Sequence, residues 1–409
     1  MGRFQEAYYG WRIVAALFVM LTFSSGLGFY IHAVMLEALS AERGFPLTTA
    51  STAVAIFFFA SGIVGPVVAL LLERFDVRHV INGGALLAAA SLAAVGYVDG
   101  TAQLFIVYVL FGIGFCASGL LPATTLVTRW FQQRRAAALS IASTGLSLGG
   151  VIITPASAAL IEWVGIRVAS PWLGLAYLLG VSPLALLILR SRPSDLGLAP
   201  DGGVATGNVA ADQGMAFSDA LRTSYFWALG VAYIFVMAAQ VGGIAHQYGI
   251  VGEHLSGTAA VLALGVLPLF SIIGRLAGGY LIDRMSTWRF AACMILMQGA
   301  SLGLMALGSA AWVLVLGLAL FGITVGNLLM LQPLLIAETF GLVNYARIYS
   351  TSNLLSMLGV AAGPVMMGFM VETTGGYQAA YLLACGAGLA ALLVFVPFRP
   401  PVGVSLVEP

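Results

Sequence analysis

Arg275 is the residue whose type and position could most directly do chemistry. It lies within residues 271–284, S-I-I-G-R-L-A-G-G-Y-L-I-D-R, an apolar and glycine-rich stretch that ends in an Asp-Arg pair. A guanidinium cannot shed its proton, and a charge inside a bilayer costs several kcal/mol. If this stretch crosses a membrane, we expect an anion to meet Arg275 there.

The acidic residues of the chain do not supply that anion from the middle of an apolar segment. All 16 lie in predicted loops, near the termini or at the ends of apolar segments, as Glu37 does. This distribution favours an external carboxylate, held bidentately by the guanidinium in a water-filled cavity. The alternative is a structural arginine that bonds backbone carbonyls or extends its side chain to the membrane surface.

Other side chains within the apolar segments could move a proton or form hydrogen bonds. His246 and His32 are the proton-transfer candidates, because imidazole titrates near neutrality. Asn327, Asn353 and Ser356 could each hydrogen-bond a small polar ligand, or only a neighbouring helix.

These residues must be positioned by membrane helices. Of the 409 residues, 60% are hydrophobic and 8% charged, and the mean hydropathy is +1.01, whereas soluble domains carry about 25% charged residues. Apolar runs of about 20 residues recur along the chain. The predicted spans are 11–36, 50–72, 80–98, 102–127, 137–162, 170–190, 226–250, 257–281, 289–308, 310–336, 347–372 and 377–397. The sequence therefore predicts an all-α membrane protein with twelve transmembrane helices.

The chain repeats itself after six spans. Tyr9-Gly-Trp11 returns as Tyr225-Phe-Trp227 after 216 positions, Glu73-Arg74 as Asp283-Arg284 after 210, and Pro122 as Pro333 after 211. Such register is the mark of a duplicated unit. We expect two pseudo-symmetric six-helix bundles, 1–190 and 226–409, joined by a polar linker at 191–225.

The arginines predict the orientation. If the N-terminus is cytoplasmic, fourteen of the 17 arginines fall on the cytoplasmic side, Arg43 and Arg167 fall outside, and Arg275 lies in the membrane. Positive residues favour the cytoplasmic side. We therefore expect a multi-pass protein of the cell membrane, with both termini cytoplasmic and the single chain as the functional unit.

Several function classes have no support in the residues. The net charge of +1 argues against nucleic-acid binding, and the three cysteines show no metal or disulfide spacing. No phosphate-binding loop and no catalytic motif is present. We therefore expect no enzyme activity, no cofactor and no metal. A sensor that signals through a cytoplasmic domain is disfavoured by the short linker and tail.

Over its whole length the chain resembles the major facilitator superfamily. That family carries a Gly-x-x-x-Asp-Arg-x-Gly-Arg loop after the second span, and here residues 69–78 read A-L-L-L-E-R-F-D-V-R. The second half keeps the glycine and the charged pair at 279–284. The resemblance implies a structural and gating role for Glu73, Arg74, Arg78, Asp283 and Arg284.

Within that family the chain looks like the monocarboxylate transporter and oxalate:formate antiporter branch. The similarity rests on Y-G-W-R-I-V at 9–14, T-R-W-F at 128–131, R-T-S-Y-F-W at 222–227, and the arginine eight residues before Asp283. It implies that Arg275 binds a substrate carboxylate and that Tyr30 lines the cavity. Ser356 stands where oxalate:formate members have a lysine, and Ser271 where animal monocarboxylate carriers have an aspartate.

These observations predict a secondary transporter of small monocarboxylates such as lactate or pyruvate, working by rocker-switch alternating access. Proton coupling through His246, His32 or the substrate's own carboxyl is expected. Anion exchange of the oxalate/formate type and export of amphipathic organic compounds are the alternatives.

Overall fold

The described part of the chain is mostly helical. A computed structural model describes residues 8–201, 214–282, 284–308 and 310–400. Within these ranges, twelve helical segments are long and apolar enough to cross a membrane, which confirms the predicted number of spans. Contacts divide the chain into two compact units, Met1–Asp212 and Gln213–Pro409.

The first unit builds its six spans from nine helices. They are α1 Gly10–Ser25, α2 His32–Arg43, α3 Leu47–Arg74, α4 Val77–Ala94, α5 Thr101–Ser118, α6 Leu120–Trp130, α7 Arg135–Leu148, α8 Thr154–Val164 and α9 Ile166–Leu187. Two π-helical segments, Gly26–Tyr30 and Gly149–Ile153, join α1 to α2 and α7 to α8. The first and fifth spans are thus interrupted at their glycines, which the sequence reading did not predict.

The second unit has longer uninterrupted helices. They are α10 Phe217–Arg222, α11 Ser224–Ala245, α12 Gln247–His254, α13 Gly257–Ile282, α14 Thr287–Leu307, α15 Ala311–Phe340, α16 Tyr345–Thr374 and α17 Tyr377–Phe395. The predicted linker, 191–225, holds short helices at Pro193–Leu196 and Phe217–Arg222.

The two units pack their helices in the same pairs. In the first unit α1 packs on α7, α3 on α5 and α4 on α9; in the second, α11 packs on α16, α13 on α15 and α14 on α17. These pairs join spans one and five, two and four, and three and six of each unit.

Glycines allow the helices of the first pair in each unit, α1 with α7 and α11 with α16, to approach closely. Two glycines one turn apart face two backbone carbonyls of the partner helix, with no room for a Cβ atom. The pairs are Gly145 with Phe18, Gly149 with Thr22, Gly359 with Ile234 and Gly363 with Ala238. The glycines recur after 214 positions and the carbonyls after 216. Small residues spaced four apart favour close helix packing, and the runs at 143–150 and 359–364 pack in this way.

A second repeated contact closes each unit. A carboxylate oxygen of Glu42 accepts a hydrogen bond from the Ile166 backbone N–H at 2.8 Å, and one of Glu253 accepts from the Tyr377 N–H at 3.2 Å. Both partners recur after 211 positions. Each carboxylate satisfies an open N–H at the start of a six-span unit's last helix.

We predict that Gly359→Ala destabilises the second unit, because the new Cβ would overlap the Ile234 carbonyl oxygen. Overpacking of this kind costs about 2 kcal/mol. Gly386→Ala on α17 is the matched control, since a Cβ there meets nothing within 4 Å and alanine favours a helix. Thermal unfolding of the purified variants in detergent should show a lower melting temperature for Gly359→Ala alone. Equal melting temperatures would contradict this account of the α11–α16 contact.

Candidate functional site

Arg275 lies within α13, seven residues before the helix ends at Ile282, which is about 10 Å along the axis. Its side chain is only 1% exposed. Among the described arginines it is the one buried away from the end of a span. The side chain does not extend to the protein surface. In this conformation the guanidinium is shielded from solvent.

Asn327, a predicted ligand residue, is directed at the backbone of α13. Its Nδ2 atom donates to the carbonyl oxygen of Gly274 at 2.9 Å and to that of Ile323, on its own helix, at 2.9 Å. The side chain is 1% exposed. Both amide hydrogens are therefore donated to backbone carbonyls, one on α13 and one on α15 itself.

The polar residues of α15 and α16 form a small buried cluster. The Nε2 atom of Gln332 donates to the hydroxyl of Ser352 at 3.0 Å and to that of Ser356 at 2.9 Å. All three side chains are buried. Ser356, expected where related carriers have a lysine, thus sits in a neutral hydroxyl and amide environment. Asn353, the neighbouring prediction, is half-buried on α16.

His246 lies where α11 ends and α12 begins. Its Nε2 atom is 3.0 Å from the carbonyl oxygen of Pro364 on α16, and its ring lies 6.0 Å from that of Tyr377. The imidazole is half-buried. His246 thus contacts α16 and α17 from the junction of α11 and α12.

Tyr30 and His32 belong to the first unit and lie in an aromatic cluster. The His32 ring is 4.3 Å from that of Phe57 and 5.9 Å from that of Tyr108, and it is 4% exposed. Tyr30 is half-buried and contacts the ring of Phe29. Its ring also lies close to Gly150, where an added Cβ atom would touch it. His32 is therefore enclosed by rings, whereas Tyr30 keeps part of its ring exposed.

An ion pair between two nearby residues orders the charged loop after the second span. Arg78 pairs with Asp76, two residues away, at 2.6 Å, and the Ser191 hydroxyl donates to the same carboxylate at 3.1 Å. Asp76 also caps the start of α4. The hydrogen bond from Arg78 holds the pKa of Asp76 at about 2, below its usual range. Asp76 therefore stays ionised and fixes this loop against the segment after α9.

The remaining residues of the predicted gating motif are exposed where described. Glu73 and Arg74 lie on the surface at the end of α3. Arg284 is exposed, and its guanidinium lies 4.3 Å from the centre of the Tyr280 ring. Asp283 is outside the described residues.

Two of the sequence motifs behind the resemblance meet at one end of the first unit. The rings of Tyr9 and Trp130 are 5.7 Å apart and those of Trp11 and Phe131 are 5.0 Å apart. Gly10 is required between them, because a Cβ there would overlap the rings of Tyr8 and Phe131. The motifs Y-G-W and T-R-W-F thus form one aromatic cluster that joins α1 to the end of α6.

Sequence reasoning missed Asp201, which fastens the start of the linker to this cluster. Its carboxylate accepts backbone N–H bonds from Gln132, Gln133 and Arg134, and its own N–H donates to the Trp130 carbonyl at 3.2 Å. Another linker residue contacts the corresponding carbonyl of the second unit, since the Met215 N–H donates to the Phe340 carbonyl at 2.8 Å. An aspartate in a polar linker carries no local signal of such a contact.

No group of three or more His, Cys, Asp or Glu side chains among the described residues could hold a metal ion. Among the residues that the structure describes, Arg275 is thus the arginine buried within a span, and the neutral polar side chains of Asn327, Gln332 and Ser356 lie buried on α15 and α16.

Known proteins are similar over nearly the whole chain. The family model described as Major Facilitator Superfamily matches residues 18–337 and 251–408. Monocarboxylate transporter 11 of Mus musculus is 25% identical over 414 residues, covering 95% of this chain and 87% of that protein. Monocarboxylate transporter 13 of Rattus norvegicus is 25% identical over 413 residues, covering 98% and 92%.

Solved structures share the fold at lower identity. The outward conformation of FucP has a TM-score of 0.72 at 15% identity, covering 94% of this chain and 97% of that one. The human organic anion transporter MFSD10 has a TM-score of 0.71 at 16% identity, covering 94% and 99%. With the family model matching most of its length, this chain belongs to the major facilitator superfamily and is a multi-pass membrane transporter, not an enzyme.

Proposed function

We propose that this transporter carries small monocarboxylates of the lactate and pyruvate type, with Arg275 binding the carboxylate. The observation that carries the proposal is the burial of this arginine inside α13, at 1% exposure. Two similar proteins are named monocarboxylate transporters, and the chain resembles that branch at the arginine eight residues before Asp283.

The chemistry of the site suits one carboxylate. A guanidinium presents parallel N–H donors that match the two oxygens of a carboxylate, and burial strengthens this interaction because little water competes. Ser356 is neutral and receives its hydrogen bond from Gln332, so a second carboxylate would find no cation at that position. A hydroxyl or oxo group would suit this environment better.

Shielding of Arg275 from solvent fits alternating access. An anion can reach a guanidinium that is 1% exposed only after the packing around it opens. In the rocker-switch cycle that we propose, the two six-helix units open to one side of the membrane and then to the other. We propose that both termini lie on the cytoplasmic side of the cell membrane and that one chain performs the cycle.

Substitution of Arg275 tests the site. Arg275→Gln should lower the rate of L-lactate uptake into proteoliposomes by about a hundredfold, because the loss of a buried charged partner costs about 3 kcal/mol. Arg275→Lys should retain part of the rate, since lysine keeps the charge without the bidentate geometry. Arg289→Gln is the control, because Arg289 is exposed at the start of α14. Uptake by Arg275→Gln at the parental rate would show that the site is misassigned.

We further propose that a proton accompanies the anion, carried by His246 or by the substrate's own carboxyl. An inward proton gradient imposed on proteoliposomes should then accelerate L-lactate uptake, and His246→Gln should reduce that acceleration if the imidazole carries the proton. Uptake that ignores the gradient but needs a carboxylate inside the vesicle would indicate anion exchange. Stabilisation by cationic amphiphiles, with none by small acids, would instead indicate an exporter of amphipathic compounds.

A further inference from the structure

The α13 and α15 helices, which correspond to spans eight and ten, touch through their backbones around Arg275. Each helix carries two glycines four residues apart, Gly274 and Gly278 on α13 and Gly322 and Gly326 on α15. A Cβ on Gly326 would overlap the Ser271 carbonyl and come within 3.1 Å of the Arg275 backbone nitrogen. The peptide that carries Arg275 is therefore pressed against α15.

Asn327 adds a directed bond to this contact. Its Nδ2 donates to the carbonyl of Gly274, which belongs to the same peptide group as the Arg275 nitrogen. The amide occupies the space that a side chain at Gly278 would take, since a Cβ there would overlap its oxygen. The Asn327 amide thus fits against α13 at Gly274, one residue before Arg275, and at Gly278, three residues after it.

The donors of Asn327 argue against direct contact with a carboxylate. A carboxylate accepts hydrogen bonds, and an asparagine amide has two hydrogens to give. Both are directed to backbone carbonyls, those of Gly274 and Ile323. Its oxygen would only repel an anion.

The first unit lacks both members of this pair. Gly112 faces the Phe57 carbonyl as Gly322 faces the Leu267 carbonyl, and both partners are 210 positions apart. With that offset, Gly65 corresponds to Arg275 and Ala117 to Asn327. The helix contact is common to both units, whereas the arginine and the asparagine occur together in the second alone.

We propose that Asn327 is a positioning residue for Arg275. By donating a hydrogen bond to the Gly274 carbonyl, it fixes the rotation of α13 about its own axis and the position of α13 along α15. It therefore fixes the backbone position from which the Arg275 side chain extends. The proposal rests on the proposed function of Arg275 and extends it: the asparagine acts through the arginine and does not touch the substrate.

The test compares two buried amides of the second unit. Gln298, 0% exposed on α14, also donates from its amide to a backbone carbonyl of another helix, that of Val236 on α11, at 3.3 Å. Asn327→Ala and Gln298→Ala should lower the melting temperature by similar amounts. Asn327→Ala alone should raise the KM for L-lactate in proteoliposomes, by about tenfold, because misplacing a binding group weakens its contact with the ligand.

Asn327→Ser keeps one donor and should give a smaller rise in KM, and it carries the test if Asn327→Ala does not fold. A KM unchanged in the folded Asn327 variants, or raised equally by Gln298→Ala, would overturn the positioning role. If Arg275→Gln transports at the parental rate, the proposed function fails instead, so the two failures are distinguishable.

Discussion

A permanent charge held in the middle of an apolar helix is the constraint on which the second unit depends. Arg275 cannot become neutral, and the cost of keeping it from water is severe unless an anion or several acceptors compensate. Around this residue α13 meets α15 closely, through glycines and through the hydrogen bond of Asn327. The close contact of α13 with α15 thereby holds this one cation in place. A group held that firmly can act as a binding site each time the protein opens.

The internal repeat shows which features serve the fold and which serve the site. Both units share the glycine–carbonyl contacts and the carboxylate caps Glu42 and Glu253. These contacts hold six helices together. Arg275 and Asn327 have Gly65 and Ala117 as their counterparts. The arginine and asparagine therefore belong to the second unit alone at these positions, within a framework that both units use.

Much of the fold could be predicted from sequence because long apolar runs identify membrane helices. The number of spans is confirmed, and the glycine runs at 143–150 and 359–364 pack as their spacing predicts. The direction in which individual side chains point was harder to predict from the sequence. For Asn327 the sequence left contact with a ligand and contact with a neighbouring helix both open, because nothing local shows that its amide is directed at the Gly274 carbonyl. The paired glycines at 274, 278, 322 and 326 were the available signal. Asp201 and Glu42 depend on contacts with distant residues, which no local pattern encodes.

The central claim, that Arg275 binds a carboxylate by its charge, is tested most directly by binding to the purified protein. Isothermal titration calorimetry with L-lactate and with its neutral amide, lactamide, compares two ligands of nearly the same shape. The account predicts heat of binding with lactate and none with lactamide, and loss of the lactate signal in Arg275→Gln. Equal binding of the two compounds, or undiminished lactate binding by Arg275→Gln, would contradict it.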